Sequence, residues 1–587
     1  MTQTEDDPPG DDAGAPVEQE RLSEPSGPGS QVFPPVFDDA DSVLPRDAAG
    51  RTAAEPSPTS VTRSAGIVGA AILVSRVLGL IREIIFAYFF GASKSFAFDA
   101  YVIAFRIPNL LRNLVAEGAL SAAFVAVFSD YLAAKDEKEA MRLSSLVTTA
   151  LILILIVIVI FGIILAPTVV TVLAPGYRAE PAKFALTVKL TRILMPFILV
   201  VTMAAKAMGA LNAKDKFAVP ALAGACFSAG SIIGGLTFAA FLTDPSFAHP
   251  VRAILADPTV AIAGMAYGAL IGGFLQYVVQ WPALRRAGFR YRPGLSFTHP
   301  GVRRILRLMT PAVVGAAALQ VNVVVNSNFA SSLPGNGPVS WLAYAFRLMQ
   351  FPIGVFGIAI STATLPAVSR SAALGRMDQF RRTLATSLRL AFILTIPSAV
   401  GLIVLGGPII ALIFQRGGFT FEDTRHTAGA LGFYAIGLAG YAAVRILAPA
   451  FYALDDAMTP MLASLISILV NLGLNWALAG PLGERGLALS TSVVAILNFA
   501  LLYELMRRRL GGLEVRHTVR YAGKVTAAAA VMGAVCWAAS HGVSSALAYG
   551  GSGSTIMGRM ANVVIPVGAG AAVFYGMASF LGLRELS

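Results

Sequence analysis

The chain has 587 residues, of which 56% are hydrophobic and 13% are charged, and its mean hydropathy is +0.69. This composition excludes a soluble globular domain and predicts a polytopic membrane protein. The formal net charge is +12, but residues 1–60 hold thirteen acidic and three basic residues, net −10, which leaves +22 for the remainder. Because the basic residues of that remainder lie between hydrophobic segments, they indicate contact with a membrane surface and not with nucleic acid.

Residues 1–60 are rich in Pro, Gly and Asp and have no apolar period, which predicts a disordered acidic tail in the cytoplasm. No basic stretch precedes a short apolar core there, so we expect no signal peptide. The two cysteines, Cys226 and Cys536, stand alone in apolar segments and indicate neither a disulfide framework nor a metal site.

Two hydrophobic segments near 64–90 and 100–131 are unusual because charged residues interrupt them. The charged residues within 75–118 include Arg76, Arg82, Glu83, Asp99, Arg106, Arg112 and Glu117. An arginine near the centre of a lipid-spanning helix costs roughly 2.5–3.5 kcal/mol on insertion scales. We therefore expect these side chains to line a cationic, aqueous cavity. The alternative is an ion pair that only joins two helices, which the excess of arginines over carboxylates disfavours.

Fourteen hydrophobic segments follow one another from residue 64 onward, and each can cross a ~30 Å hydrocarbon core as a helix. They lie near 64–90, 100–131, 143–173, 185–211, 217–242, 259–284, 305–330, 339–366, 385–414, 426–453, 459–480, 485–508, 518–545 and 560–583. Basic residues cluster after the even-numbered segments, whereas the 331–338 loop has none. The positive-inside rule therefore predicts that both termini are cytoplasmic.

An internal repeat relates segments 1–6 to segments 7–12. Three motifs recur at an offset of 240 or 241 residues: Ala104-Phe105-Arg106 as Ala345-Phe346-Arg347, Pro167 and Gly176 as Pro408 and Gly417, and Ala213-x-Asp215 as Ala453-x-Asp455. The repeat predicts two pseudo-symmetric six-helix lobes, 61–284 and 305–509, joined by a basic cytoplasmic linker, 285–304. Residues 510–587 form two accessory helices. Transporters of this build hold the substrate between their lobes.

The second lobe has polar residues of its own. Arg347 lies within segment 8, and amide or hydroxyl side chains stand inside segments 7, 11 and 12. These are Asn322, Asn326, Asn471, Asn475 and Thr491. Buried amides in helical bundles usually form interhelical hydrogen bonds. A small-cation site built from the oxygens of Asn326, Asn471, Asn475 and Thr491 is the alternative.

Several catalytic motifs are absent from the sequence. It contains no Gly-x4-Gly-Lys-Ser/Thr phosphate loop, no HExxH and no Gly-x-Ser-x-Gly. We therefore expect a transporter without ATPase activity or cofactor, which draws on a coupling ion or the membrane potential. Guanidinium groups bind phosphate bidentately and stay charged, so the arginines indicate a diphosphate head group as ligand.

Six stretches carry a family resemblance that covers about residues 64–510. They are SRVLGLIRE, FDAYVIAFRIPNLLRNLVAEGALSAAFV, LAYAFRLMQFPIGVFGIAISTATLP, IFQRGGFT, FYALDD and the short FGAS. The sequence closely resembles the MurJ/MviN lipid II flippases. This resemblance implies the MOP-exporter fold. It also implies translocation of an undecaprenyl-diphosphate-linked peptidoglycan precursor from the inner to the outer leaflet of the bacterial cytoplasmic membrane.

The resemblance also implies roles for particular residues. The substrate-binding arginines of the family fall on Arg76, Arg82, Arg112 and Arg347, its carboxylates on Asp99 and Glu117, and its gate serines on Ser75 and Ser340. In this reading Arg76, Arg112 and Arg347 clamp the diphosphate, and Arg82 lies with Asp99 nearer the periplasmic gate. Asp99 and Glu117 pair with the arginines after release. Phe346 and Gln350 stand where relatives often carry acids, as do Asn326 and Asn475.

The sequence thus favours a lipid II flippase that works by alternating access. Three alternatives stay open: an exporter of another polyprenyl-linked oligosaccharide, a multidrug exporter, and a non-transporting scaffold for cell-wall enzymes. A cationic drug would need a carboxylate-lined cavity, and a scaffold has no need to bury uncompensated arginines. The expected partners are lipid II, membrane lipids and proteins of cell-wall synthesis or division.

Overall fold

A computed structural model describes residues 58–114, 121–134, 137–296, 298–549 and 555–583, without the side chains of 58–68 and 314–319, among others. The chain divides into one unit of residues 1–61 and a second of residues 62–587. The predicted acidic tail and Glu117 therefore lie outside the described residues, apart from 58–60. All regular structure within the described ranges is helical.

Eleven helices precede the basic linker. They are α1 Pro58–Phe90, α2 Ala97–Arg112, α3 Ser121–Ala134, α4 Glu137–Ile164, α5 Ala166–Leu173, α6 Pro181–Leu194, α7 Phe197–Asn212, α8 Ala218–Thr243, α9 Pro250–Ala256, α10 Pro258–Val278 and α11 Trp281–Arg286. A 3-10 turn, Pro175–Ala179, joins α5 to α6. Proline begins or interrupts many of these elements, because it lacks the N–H that continues an α-helix.

Ten helices follow the linker. They are α12 Pro300–Ser331, α13 Pro338–Pro352, α14 Ile358–Ala373, α15 Met377–Ile413, α16 Phe421–Ile436, α17 Leu438–Tyr452, α18 Met458–Leu482, α19 Glu484–Arg509, α20 Val515–Tyr549 and α21 Ile556–Phe580. A π-helical turn, Ile353–Gly357, connects α13 to α14 directly after Pro352. This turn bends one long apolar helix without breaking it.

Ten helices in the described part of the chain are long and apolar enough to cross a membrane. An eleventh results if α16 and α17, bent by 44°, count as one span. These coincide with eleven of the predicted segments. The other three, near 64–90, 100–131 and 305–330, each include residues or side chains outside the described set. The protein is therefore an all-helical, multi-pass membrane protein, and the count of fourteen spans stays a prediction.

The turns that end α7 and α17 have the same geometry, 240 residues apart. Asp215 and Asp455 both adopt a left-handed backbone with φ of 56°. In each turn the backbone N–H groups on either side of the aspartate donate to one carbonyl oxygen, that of Leu211 in the first turn and of Phe451 in the second. Aspartate tolerates this conformation better than most residues. The sequence repeat thus has a counterpart in local backbone structure.

The orientation in the membrane stays a prediction that labelling can test. We expect a cysteine at Ser332, in a background lacking Cys226 and Cys536, to react with an impermeant thiol reagent in intact cells. Ser332 is exposed next to a loop without basic residues, which favours the outer side. A cysteine at Leu295, exposed in the basic linker, is the control that should react only after permeabilisation. The reverse labelling pattern would show that the orientation is wrong.

Candidate functional site

The carboxylate of Asp99 lies at the N-terminus of a helix from the other half of the chain. Asp99 is in the first turn of α2 and is fully buried. Its Oδ2 accepts the backbone N–H of Gly337 at 3.0 Å, and its Oδ1 accepts the N–H of Ser340 at 2.9 Å and its hydroxyl at 2.5 Å. These N–H groups belong to the cap and first turn of α13, where a negative charge is favoured. Asp99 therefore caps α13 from outside.

A buried lysine balances this carboxylate. Lys183, at the start of α6, places its Nζ 3.1 Å from Asp99 Oδ2, with its side chain 3% exposed. The same ammonium donates to Asn336 at 3.4 Å and lies 4.5 Å from the centre of the Tyr177 ring. We call the group of Asp99, Lys183, Gly337 and Ser340, which Asp99 holds together, the α2–α13 closure. It joins helices that precede the linker to helices that follow it.

Two glycine contacts reinforce the α2–α13 closure. A Cβ on Gly176, in the turn after α5, would lie 2.2 Å from the carbonyl oxygen of Ser331 at the end of α12. Gly418, in the turn after α15, donates its N–H to the carbonyl oxygen of Tyr88 at 2.6 Å. Each turn thus packs backbone against backbone on a helix end of the opposite half. Only glycine permits so close an approach.

Aromatic side chains fill the space behind these contacts. The rings of Phe98 and Tyr344 stack at 4.9 Å between centroids, and Tyr344 also contacts Phe414 at 4.9 Å and Phe419 at 5.4 Å. All four side chains are buried, and they come from α2, α13 and the end and following turn of α15. The α2–α13 closure therefore has an apolar seal, whose burial stabilises it in proportion to its area.

Three of the predicted arginines lie along α1 and α13, which run antiparallel to each other. The buried carboxylate of Glu83 contacts Arg82 at 3.2 Å and Arg347 at 3.0 Å. Arg76 lies seven residues before Glu83, and Gly354 lies seven residues after Arg347. The Arg76 guanidinium contacts Gly354, because a Cβ added to that glycine would be 3.2 Å from Arg76 Nη1. We call the set of Arg76, Arg82, Glu83 and Arg347 the arginine seam.

The arginine seam carries more positive than negative charge. The seam holds one buried carboxylate, Glu83, and three guanidinium groups, of which Arg82 and Arg347 contact Glu83, and the Arg347 side chain remains 57% exposed. Arg76 is exposed as well. Each guanidinium has five N–H donors in a planar fork, so donors remain available after the contacts with Glu83. The seam can therefore bind a phosphate or diphosphate group, and a single acid cannot neutralise it.

The remaining arginines of the polar face belong to α2. Arg106 donates to the hydroxyl of Ser327 on α12. Arg112 donates to Asn113 at 3.4 Å and is half-buried. Both lie further along the helix that begins at Asp99, so α2 carries the closure at one end and cationic groups towards the other.

The structure adds contacts that the sequence did not predict. Arg82 and Arg347 both contact Glu83, and Asp99 pairs with Lys183 of α6. The position of Arg82 relative to the periplasmic gate and the pairing of Asp99 with arginines after release stay predictions. Ser75 packs against Gly224 of α8, away from Ser340.

The amide residues of the second half form one hydrogen-bonded cluster. The Asn475 amide donates to the Asn326 side-chain oxygen at 2.7 Å and to that of Asn471 at 3.0 Å. Asn471 in turn donates to Ser490 at 3.1 Å, and Asn326 to Thr491 at 3.5 Å. The cluster connects α12, α18 and α19 through neutral groups. No group of three or more His, Cys, Asp or Glu side chains that could hold a metal is present among the described residues.

Two residues of the site escaped the sequence prediction. Lys183 is the partner of Asp99, and Asp423 of α16 accepts the N–H of Ser93 at 3.0 Å and the Trp341 indole at 2.9 Å. Glu83 was among the predicted cavity residues, but its contact with Arg347 was not predicted. One sequence signal could have found the closure, because Asp99 and Ser340 are themselves 241 residues apart. The repeat offset therefore places both at equivalent helix starts, which the hydrogen bonds between Asp99 and Ser340 bring together.

The Asp99–Lys183 pair yields a stability prediction. Removing one partner of a buried ion pair costs about 3–5 kcal/mol, because the other charge stays buried. We expect Asp99→Asn and Lys183→Gln each to lower the thermal unfolding midpoint of the purified protein. The double variant should lose less than the sum of the two.

The exposed Asp130–Arg304 pair, 2.9 Å apart with both side chains more than half exposed, is the matched control. Asp130→Asn should cost about 0–1 kcal/mol. Equal shifts for Asp99→Asn and Asp130→Asn would contradict the assigned burial, and additive losses in the double variant would contradict the pairing.

Known proteins resemble this chain in sequence and in fold. The family described as "Lipid II flippase MurJ" matches residues 86–556. A protein of Vibrio cholerae named probable lipid II flippase MurJ is 33% identical over 530 residues, 89% of this chain and 96% of that protein. A lipid II flippase MurJ of Burkholderia cenocepacia is 35% identical over 441 residues, 74% of this chain and 82% of that protein.

Solved structures agree. A structure entitled "Lipid II flippase MurJ, inward closed conformation" superimposes with a TM-score of 0.70 at 26% identity, covering 89% of this chain and 99% of that one. An inward-facing multidrug resistance transporter of the MATE family, in the MOP superfamily, gives 0.57 at 14% identity over 74% of this chain and 98% of its own, a likeness of fold alone. With a family match over most of its length, this chain belongs to the lipid II flippase MurJ family.

Proposed function

We propose that this protein flips lipid II, the diphosphate-linked lipid precursor of peptidoglycan, across the bacterial cytoplasmic membrane. The observation that carries the proposal is the arginine seam, in which the guanidinium groups of Arg82 and Arg347 contact one buried carboxylate and that of Arg76 lies further along the same two helical segments. A lipid-linked diphosphate brings the missing negative charge on a carrier that already lies in the membrane. The named relatives, which cover most of this chain, support the same substrate.

The transport cycle we propose is alternating access between two six-helix lobes within a fourteen-span chain. The matching turns at Asp215 and Asp455 support the repeat, as do the two glycine contacts, each of which joins one turn to the opposite half. α20 and α21 follow the repeat as two accessory helices. The two lobes would open and shut around the arginine seam.

We further propose that the α2–α13 closure shuts the outer side while the cavity is open to the cytoplasm, with both termini cytoplasmic. The closure lies at the 331–338 loop, which has no basic residue, whereas the linker at the other end of α12 is rich in arginine. Arg347 lies seven residues after Ser340 on α13. A diphosphate that binds Arg347 therefore acts on α13, the same helix that Asp99 caps.

A separate proposal concerns the energy source of the transport cycle. The chain has no phosphate loop, so the cycle would run on the membrane potential or on a coupling ion, without a nucleotide cofactor. The amide cluster around Asn475 satisfies its donors internally and serves in this proposal as a neutral interhelical contact.

The arginines yield the decisive functional prediction. Replacing Arg76, Arg112 or Arg347 by Ala should reduce lipid II flipping about ten- to a hundredfold per residue, since a charged hydrogen bond contributes about 1.5–3 kcal/mol. Lys should restore only part of the activity, because an ammonium keeps the charge but loses the planar fork. Flipping is measured by the accessibility of lipid II in the outer leaflet of vesicles that contain the purified protein.

Arg376→Ala is the matched control, because Arg376 is exposed at the start of α15 and away from the seam. It should flip lipid II at the wild-type rate. If the Arg76→Ala, Arg112→Ala and Arg347→Ala variants all flipped lipid II at the wild-type rate, at normal protein levels, these arginines would be only structural.

A further inference from the structure

The outward face of α6 carries cations where an apolar surface is expected. Lys189 and Arg192 are exposed, and they follow exposed Ala185 at spacings of four and three, so the three residues share one face. α6 is part of a helical stretch, Pro181–Asn212, that is long and apolar enough to cross a membrane. Charged residues in spanning helices almost always face the protein interior or a water-filled cavity. An outward pair of cations therefore needs a partner outside the protein.

Two adjoining clefts surround these cations. The first has a volume of about 510 Å³ and is lined by Pro167, Phe184, Ala185, Val188, Lys189, Arg192, Ile193 and Tyr267. The second, of about 470 Å³, adds Thr168, Thr171, Arg178 and Pro181 and shares Pro167 and Phe184 with the first. No acidic side chain lines either cleft in the described part of the chain. We call this region the cationic cleft.

Pro167 builds the cationic cleft. Proline has no N–H, so the carbonyl oxygen of Ile163, four residues earlier, loses its helical partner and α4 ends there. Arg192 Nε donates to that oxygen at 3.3 Å. This contact fixes one edge of the Arg192 guanidinium and leaves its terminal NH₂ groups directed elsewhere. The cation is thus held in place by the break in the helix.

The other two cations of the cleft keep free donors. Arg178 uses its Nε for Thr171 at 3.2 Å, and its remaining N–H groups have no partner among the described residues. Lys189 makes no hydrogen bond or ion pair with any described residue. Glu180 lies near Arg178, at the residue before α6, but no acidic side chain among the described residues lines the cleft beside Lys189 and Arg192. Three cations with unused donors therefore give the cleft a positive potential.

The positions of the cations and apolar side chains along α6 determine which ligand the cleft can bind. Lys189 lies eight residues after Pro181, about 12 Å along α6, and Arg178 lies in the turn before that helix. Side chains on a helix tilt towards its N-terminus, so Lys189 and Arg192 reach back towards Arg178 and the membrane surface. Phe184 and Val188 lie between Arg178 and Lys189 along the chain, and together with Tyr267 they offer an apolar wall. An occupant must therefore carry an anionic head and an apolar chain.

We propose that the cationic cleft binds an anionic phospholipid of the membrane. Its phosphate contacts Arg178 and Lys189, and one acyl chain lies against Phe184, Val188 and Tyr267. The site is separate from the arginine seam, because it opens on the outward face of α6 and not between α1 and α13. It does not depend on the proposed flipping of lipid II, and its test uses no lipid II.

The test is a lipid-binding titration of the full-length protein in detergent, followed by native mass spectrometry. The probes are phosphatidylglycerol and phosphatidylcholine with identical acyl chains. We expect tighter binding of phosphatidylglycerol and about fivefold weaker binding in Lys189→Gln, the effect of one cation near a membrane surface. Ala185→Phe should weaken binding similarly, because its ring fills the cleft while all charges remain. Arg252→Gln, which removes an exposed cation of α9 outside the cleft, should bind like the wild type.

Four results would overturn the proposal. Equal binding of the two phospholipids would show an apolar groove without a head-group site. An equal loss in Arg252→Gln would show diffuse attraction to the protein surface. Competition by inorganic phosphate at the concentration of the lipid would show a site for soluble anions. Wild-type binding in Ala185→Phe would place the lipid outside the cleft.

Discussion

The buried carboxylate of Asp99 connects helices from the two halves of this protein. Asp99 is fully buried, satisfies the first N–H groups of α13 and is neutralised by Lys183 of α6. Each of these contacts compensates for the cost of taking a charge out of water, and none of them alone would suffice. Arg112 lies on α2 and Arg347 lies on α13. The relative position of these two guanidinium groups therefore depends on the contact between Asp99 and α13.

The closure is made by equivalent turns of the repeat, in a form that fits the proposed alternating access. Gly176 and Gly417 occupy equivalent turns, and each would clash through a Cβ with the backbone of the opposite half. Contacts between backbones and a small number of polar groups separate at lower cost than a large interdigitated core. The buried aromatic group around Tyr344 adds affinity without directional bonds. Such a contact suits a surface that must form and break in each cycle.

The sequence predicted the helical class, the repeat and the cationic residues, because hydrophobic length, a constant offset and charge are local properties. It did not predict which charges meet. Glu83 stands beside Arg82 in the sequence, yet its contact with Arg347 depends on the antiparallel approach of α1 and α13. Lys183 reaches Asp99 only because Pro181 begins α6 beside the start of α2. Phe346, one of the residues at which the sequence departs from the family pattern, packs against Tyr434 with ring centroids 5.5 Å apart.

The central claim is that Asp99 controls the closure and is not part of the lipid II site. The most direct test measures lipid II binding and lipid II flipping on one Asp99→Asn preparation. Binding should stay at the wild-type level or strengthen, because the arginine seam is intact, while flipping should fall at least about tenfold, the effect of ~1.4 kcal/mol. Loss of binding and flipping in equal proportion would place Asp99 in the substrate site and contradict the account.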